Sequence, residues 1–580
     1  MVFNKNTFFT GLCITFFLTP LSLAKNATEP TYNPIIKIQI LGINDFHGQI
    51  NSGRLENGKP IGGAAVLAAY LKNAQAGMED RTIITIMGDQ VGASPPASAL
   101  LNDEPTILFT NSLANHYCSP AQRMHPLCNV VATIGNHEFD KGQQAMMDLI
   151  YGSGNPPTFS WIPLAQYPGA NYPFISANII KANAPNPLLF PPYVIKSIHN
   201  IRIAFIGALL KNAETTMFPA HAQGLTFLDE AEQINHYLPE IKAKGAKIII
   251  VLLHEGGNQT PYAGKTRANS EVNGRIKKII TQLDDGVDVV MAGHTHQFLN
   301  AQLPNHRGKK ILLTQAHSYG TAFAQVTLLF HKKKQRVIYK SAQIIKTLAN
   351  RWPGSLPDSS TLQLVQLAED KVLPIISSYV GFAQHHIPAQ ENLDGESALG
   401  NLVTDAFRLT LNTDIALYNL HGLRDNLNAG IINKGMIYSV LPFANNVVVV
   451  TLSGHDLYNL LEQQWNGAYP NMLQISGLSY TYDAKNNPGH KIINLLHLNQ
   501  PIIREKIYTI ATSDFLASGA GIFSVLKNSH LIQIGSSDSE TVINYLKNLP
   551  QPFSVTIEGR IKNNSSPLLA TKRLAKSTSD

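Results

Sequence analysis

The sequence predicts an α/β protein of two or more domains, and three observations carry that expectation. At 580 residues the chain is longer than one hydrophobic core ordinarily serves. Its 44% apolar and 15% charged content describes a globular chain rather than a disordered one. From Ile35 onward, short apolar runs of strand length alternate with polar or helical segments, the rhythm of a layered α/β domain.

Residues 1–24 are set apart from that pattern. Lys5 supplies a positive start, residues 8–23 are apolar apart from a few Thr, Gly, Ser and Pro, and Ser22-Leu23-Ala24 offers small residues at the positions a signal peptidase reads. Pro20 and the short apolar span make a membrane anchor the weaker reading. The expectation is an exported chain, periplasmic or secreted, without a membrane anchor. Cys118 and Cys128, with nine residues between them and destined for an oxidising compartment, favour a disulfide. The net charge of +7 suits an anionic small molecule but is modest for this length, and it does not by itself indicate a nucleic-acid polymer. The basic run His331–Arg336 lies between two strand-like segments and reads as a solvated hairpin turn.

The strand candidates matter for what ends them. Residues 35–43 lead into Asn44-Asp45-Phe46-His47-Gly48, and on an extended chain Asp45 and His47 would point the same way. Residues 82–87 lead into Gly88-Asp89-Gln90, and residues 130–134 into Gly135-Asn136-His137-Glu138-Phe139-Asp140. Residues 247–253 end at His254, and 287–292 end in Gly293-His294-Thr295-His296. Any one of these endings is common by chance. Five in one chain place Asp, Asn and His where α/β sheets bind ligands, beyond the carboxyl ends of strands.

Two Asp, four His and one Asn, with no Cys, form a nitrogen and oxygen donor set for borderline or hard divalent ions. Seven donors exceed one tetrahedral site and suit two metals sharing a carboxylate. Such pairs serve in-line displacement at phosphorus. Other templates fail: Gln259 stands where a P-loop needs Gly, no Gly-x-Ser-x-Gly elbow occurs, and His254-Glu255 leads into Gly256-Gly257 rather than a second zinc-peptidase His.

Asn-Asp-x-His-Gly, Gly-Asp-x-x-Gly, Gly-Asn-His-Glu-Phe-Asp, the strand-end His and Gly-His-Thr-His, in that order, resemble the 5'-nucleotidase family of calcineurin-like metallophosphoesterases. Periplasmic UDP-sugar hydrolases and ecto-5'-nucleotidases are among the proteins it is similar to. The resemblance implies a layered metallophosphoesterase β-sandwich flanked by helices, joined by a linker helix to a smaller α/β substrate-specificity domain. It also implies two divalent metal ions, Zn, Mn or similar. Asp45, His47 and His296 would hold the first, Asn136, His254 and His294 the second, and Asp89 would bridge them. His137 matches the family's catalytic histidine, which is not a ligand, and Asp140 would orient it.

The resemblance continues past the turn-rich stretch 352–358. Asn419-Leu420-His421-Gly422-Leu423-Arg424 is similar to an Asn-Gly-Gly-Gly-Ile-Arg turn, and Leu441-Pro442-Phe443-Ala444-Asn445 to Leu-Pro-Phe-Gly-Asn. By that likeness Phe443 and Phe515 would sandwich a substrate base, Arg424 would hold phosphate oxygens, and Asn419 and Gly422 would belong to the same substrate-binding turn. Two departures stand out. Residues 388–395 contain no Arg where the family usually carries one or two, and Gly519-Ala520-Gly521 lacks the acid that binds ribose hydroxyls. Each loss should cost about 1–3 kcal/mol of nucleotide affinity.

The expected layout is a signal peptide at 1–24, a catalytic domain at 35–350, a linker and linker helix at 351–379, a substrate-binding domain at 380–565 and a polar tail at 566–580. The expected function is that of an exported two-metal phosphohydrolase acting on a small phosphorylated substrate, foremost nucleotide phosphate esters. Alternatives are cyclic nucleotides, UDP-sugars or another ester, and, from a different class, a binding protein whose metal site is structural.

Overall fold

The computed structural model describes residues 34–565 apart from 154–165, 183, 185–186, 261–263, 267–270 and 468–469. The signal-peptide and polar-tail expectations lie outside the described residues.

Twelve strands form two six-stranded sheets. In chain order they are β1 Ile35–Ile43, β2 Thr82–Met87, β3 Val130–Thr133, β4 Phe174–Ile175, β5 Tyr193–Ile198, β6 Ile201–Leu209, β7 Ile248–His254, β8 Val289–Ala292, β9 Phe298–Pro304, β10 Lys310–Ala316, β11 Ala322–His331 and β12 Arg336–Lys346. The first sheet runs β12-β11-β1-β2-β3-β4 and the second β9-β10-β8-β7-β6-β5. Within each, the central strands are parallel: β1 with β2, β2 with β3, β6 with β7, and β7 with β8. Parallel strands must be covered on both faces, which is why these runs are almost continuously apolar.

Three apolar layers follow from that. Ile38, Ile40 and Val131 of the first sheet meet Phe205, Ile250 and Met291 of the second in one fully buried core. The outer face of the first sheet is closed by α1 Ala64–Gln75 and α2 Glu104–Leu113, with Leu67, Leu71, Ile107 and Phe109 turned inward. The outer face of the second is closed by α3 Glu230–Ala243 and α4 Arg275–Gln282 through Ile234, Leu238, Ile276 and Ile280. The result is a helix-flanked β-sandwich. The basic run forms the tip of the β11–β12 hairpin, where the Lys334 amide donates to His331 Nδ1. Cys118 and Cys128 are disulfide-bonded just before β3.

The apolar spacing over 361–379 predicts a helix, and α5 occupies Ser359–Ile376. It starts two residues early because the Asp358 side chain accepts the Thr361 amide as an N-cap and also pairs with Lys72. It stops short of Tyr379, which begins a strand paired with Gly430–Asn433. Val365, Ala368 and Val372 join the core under α1, while Ile376 lies against Gly435.

The C-terminal region is a second α/β unit. Its five-stranded sheet runs Leu473–Ser476, Ile415–Asn419, Ile507–Ser513, Asn446–Ser453, His530–Ser537. The helices Ala398–Leu411 and Asp538–Asn548 cover one face, and Gly454–Glu462 the other.

Candidate active site

All seven donors lie just past, or at the end of, β1, β2, β3, β7 and β8, so the parallel sense of those strands delivers them to one edge of the sandwich. The side chains of Asp45, His47, Asp89 and His296 bring ligand-type atoms within 4.8 Å of one another, and so do those of Asp89, His254 and His294. Asp89 is common to both groups. Asn136 joins the second, its Oδ1 lying 3.2 Å from His254 Nε2 and 3.0 Å from His294 Nδ1.

Asp45 and His47 meet this site by a different backbone from the extended one anticipated. Both are left-handed, with φ of 50° and 49°, and Asp89, His294 and His296 follow at 47°, 73° and 55°. That conformation costs an L-residue about 1 kcal/mol or more and clusters at functional sites, where the surroundings enforce it. Here the enforcing contacts are backbone ones. The amides of Asp45 and His47 donate to the carbonyls of Gly88 and Asp89, and the His294 amide donates to the Asp45 carboxylate at 2.8 Å. Two glycines permit the close approach: a Cβ on Gly135 would sit 2.2 Å from Asp89 Oδ1, and one on Gly92 would sit 2.3 Å from the His137 carbonyl.

The imidazoles are oriented by carbonyl acceptors. His47 Nδ1 donates to Gly92 O at 2.9 Å and His254 Nδ1 to Met87 O at 2.7 Å, leaving each Nε2 as a lone pair turned into the site. His47 Nε2 stands 2.9 Å from His296 Nε2, and His254 Nε2 is 3.1 Å from Asp89 Oδ2. Acceptors facing acceptors at these distances repel unless a cation or a proton lies between them. The titration behaviour says the same. Burial lowers His254, but the carboxylates of Asp89 and Asp45 override it and push the imidazole up to about 10. Burial, joined by the like charge of Asp89, pushes Asp45 up to about 7, and burial beside His254 takes His294 down to about 3.

His137 is turned differently. Its Nδ1 contacts both Asp140 oxygens at 2.9–3.0 Å, and Asp140 Oδ2 also accepts the Ala93 amide. Burial lowers this imidazole, while Asp140 and then Asp89 more than offset it, so it lies above its ordinary value. Its Nε2 faces the C-terminal region, 3.2 Å from Arg424 Nη2, and its ring stacks on Phe443 at 5.7 Å. The Arg424 guanidinium also lies over Phe443, 5.4 Å from the ring centroid.

Phe515 is half-buried against the second core of the C-terminal region and makes no ring contact with Phe443 among the described residues. Asn419 ends its strand, and Gly422 follows in a tight turn where a Cβ would meet the Tyr418 ring at 2.7 Å.

Two groups of residues were missed at the sequence level. Glu138 is buried and accepts the amides of Gly135, Asp89 and Gln90, binding the β2 and β3 loops together. Its place inside the hexapeptide was the available signal. Tyr319 and Arg54 flank the first donor group: the Tyr319 ring lies 5.5 Å from that of His47 and 5.4 Å from that of His296, with the Arg54 guanidinium 3.7 Å above it. Neither belongs to a local pattern that a sequence could show.

Residues 38–298 match the calcineurin-like phosphoesterase family and residues 379–528 match the 5'-nucleotidase C-terminal domain. The chain is 30% identical over 552 residues to the cell wall protein Lmo0130 of Listeria monocytogenes, covering 88% of this chain and 67% of that one. It is also 30% identical over 551 residues to the endonuclease YhcR of Bacillus subtilis, covering 93% of this chain but 42% of the longer relative. A 5'-nucleotidase precursor from Thermus thermophilus shares the fold, with a TM-score of 0.74 at 23% identity over 91% of this chain and 99% of its own. Donor clusters at the ends of parallel strands, a C-terminal unit set against them and similarity over most of this chain agree on one lineage: the chain belongs to the 5'-nucleotidase family, with a calcineurin-like metallophosphoesterase domain followed by a 5'-nucleotidase C-terminal domain.

Proposed function

We propose that the protein is a two-metal phosphohydrolase acting on nucleotide phosphate esters. The observation that carries this reading is the convergence of lone pairs around Asp89, which only positive charge can relieve. The donor set fits a divalent pair, with Asp45, His47 and His296 on one ion, Asn136, His254 and His294 on the other, and Asp89 shared. When bound, the ions supply Lewis acidity at the phosphoryl oxygens and a nucleophile at neutral pH.

The remaining steps belong to the protein's own groups. Asp140 holds a proton on His137 Nδ1, which fixes the ring and directs Nε2 at the reacting group. Arg424 Nη2 donates to His137 Nε2 at 3.2 Å, and a phosphoryl oxygen arriving at this pair, with the imidazole protonated on both nitrogens, is a group both would serve as donors. A proton on Nε2 is then available to the oxygen that leaves phosphorus. Phe443, with Arg424 across its face, offers a flat apolar surface to the organic part of the substrate, and Phe515 provides a second. Export through residues 1–24 is part of the proposal. The Cys118–Cys128 disulfide and a relative named as a cell wall protein support it. No helix among the described residues is long and apolar enough to cross a membrane.

A second reading, a diester or diphosphate substrate, is favoured by the absent ribose-binding acid and by the similarity to a protein named as an endonuclease. One assay separates the two. Purified protein is offered mononucleotides, cyclic nucleotides, UDP-sugars and an aryl phosphate, with chelator and with Mn, Zn, Co or Mg restored. Preferential release of phosphate from mononucleotides, lost on chelation and regained with metal, is the expected result. Turnover of none of them with any metal would sink the enzymatic reading.

A further inference from the structure

The first donor group has a neighbour with no assigned task. Arg54 follows His47 by seven residues, in the loop that carries the chain away from the end of β1. Its guanidinium lies over Tyr319, 3.7 Å from the ring centroid, and its Nε donates to Gln49 Oε1 at 2.9 Å. Tyr319 is held in turn in a left-handed backbone, φ 59°, and its amide donates a hydrogen bond to the Asp45 carbonyl at 2.7 Å. The guanidinium is therefore one aromatic ring away from both His47 and His296.

Among the described residues Arg54 enters no ion pair, and its two terminal nitrogens have no acceptor. The nearest acid in sequence, Glu56, is engaged with Lys346 at 2.9 Å. An arginine stacked on an aromatic face keeps its donors in the plane of the fork, and Gln49 occupies only one edge. The opposite edge is left for a planar or tetrahedral oxyanion. A half-buried guanidinium, pinned at two points beside a metal-type donor group and without a carboxylate, is built for an anion that arrives from outside.

The C-terminal region is short of such charge. Residues 388–395 contain Glu391 and Asp394 but no arginine, which leaves Arg424 as the one cationic side chain placed against His137 among the described residues. We infer that Arg54, positioned by Tyr319, contacts a phosphate oxygen of the substrate at the edge of the first donor group and supplies charge that residues 388–395 do not. The inference rests on the phosphohydrolase reading above, and it assigns Tyr319 a positioning role only.

Calorimetric binding of inorganic phosphate and of ADP to the Mn-loaded full-length protein tests it, with metal content measured on the same samples. Arg54→Ala should weaken binding about 10-fold or more, the scale of a charge-assisted bond. Arg54→Lys should recover only part of the loss, because an ammonium neither stacks nor forks. Tyr319→Leu should fall between them and raise KM for an aryl phosphate while leaving kcat near wild type. Equal losses for phosphate and ADP assign Arg54 to the transferred group, and a loss for ADP alone assigns it to a second phosphate. Should Arg54→Ala lose its fold or its metal, Arg54→Gln carries the same comparison. Unchanged affinity for both ligands in the folded, metal-loaded variant overturns the inference. Binding that depends on Arg54 without turnover of any ester would retain it and remove the hydrolase reading instead.

Discussion

The two halves of the candidate active site are built to different standards. On the sandwich side, His47 and His254 are tied to carbonyls and His137 to a carboxylate, Asp45 and Asp89 accept backbone amides, and five residues accept a left-handed backbone to hold their places. On the C-terminal side, the Arg424 guanidinium lies against His137 and Phe443, and among the described residues its Nε is buried without a hydrogen-bond partner. Among the same residues Asp514, next to Phe515, likewise keeps one buried oxygen unpartnered. Chemistry at phosphorus tolerates little misplacement, so its groups are over-determined. Under the proposed function the C-terminal side would meet the organic part of the substrate, where looser support costs less. The family-typical ribose acid and upstream arginine are missing on this same looser side.

That contrast can be broken or sharpened by substitution. His137→Ala should lower kcat by about 10²–10⁴-fold, the usual worth of a general acid, with metal content unchanged. Steady-state kinetics beside metal analysis decides it, and a joint loss of metal would place His137 among the ligands. Glu138→Ala removes one acceptor serving three buried amides and should destabilise the sandwich by about 3–5 kcal/mol, read from denaturant unfolding. If the C-terminal unit unfolds separately, only the transition of the sandwich should move.

The pH response should come partly from the looser half. Burial, with the charge of Asp514 adding to it, pushes Asp538 up to about 7 from an ordinary 3.8. Between those values the folded chain keeps a proton that the unfolded chain has lost. Stability from this group therefore falls as pH rises through that window and stays low above it. Asp538→Asn should flatten the fall by about 2–4 kcal/mol in melts taken from pH 4 to 8. The smallest effect expected is that of Phe443→Ala, about a tenfold rise in KM for a nucleotide with kcat retained for an aryl phosphate. An equal loss for both substrates would mean that Phe443 supports His137 rather than the base.

Legibility followed burial and locality. The donor-bearing strands of the sandwich were visible because two-sided burial makes them almost continuous apolar runs, and β1 and β2 appear with the predicted bounds. The donors were visible because each sits within a few residues of such a run. Backbone shape at Asp45 and His47 was not, since an extended chain and a left-handed turn carry the same side chains in sequence. The linker helix was placed two residues late although its start was legible, since Asp358 caps it through the local Thr361 amide and apolar spacing alone marks only the first buried position.

By itself the sequence determined that five apolar strand segments end in oxygen and nitrogen donors, because side-chain chemistry and apolar periodicity are local properties. Only the tertiary structure decided that Asp89 stands between two groups of donors, that His137 turns away from them toward Arg424, and that Arg54 lies on Tyr319 beside His47 and His296. Those relations join residues up to 287 positions apart, and they exist only once the two sheets and the C-terminal unit have packed.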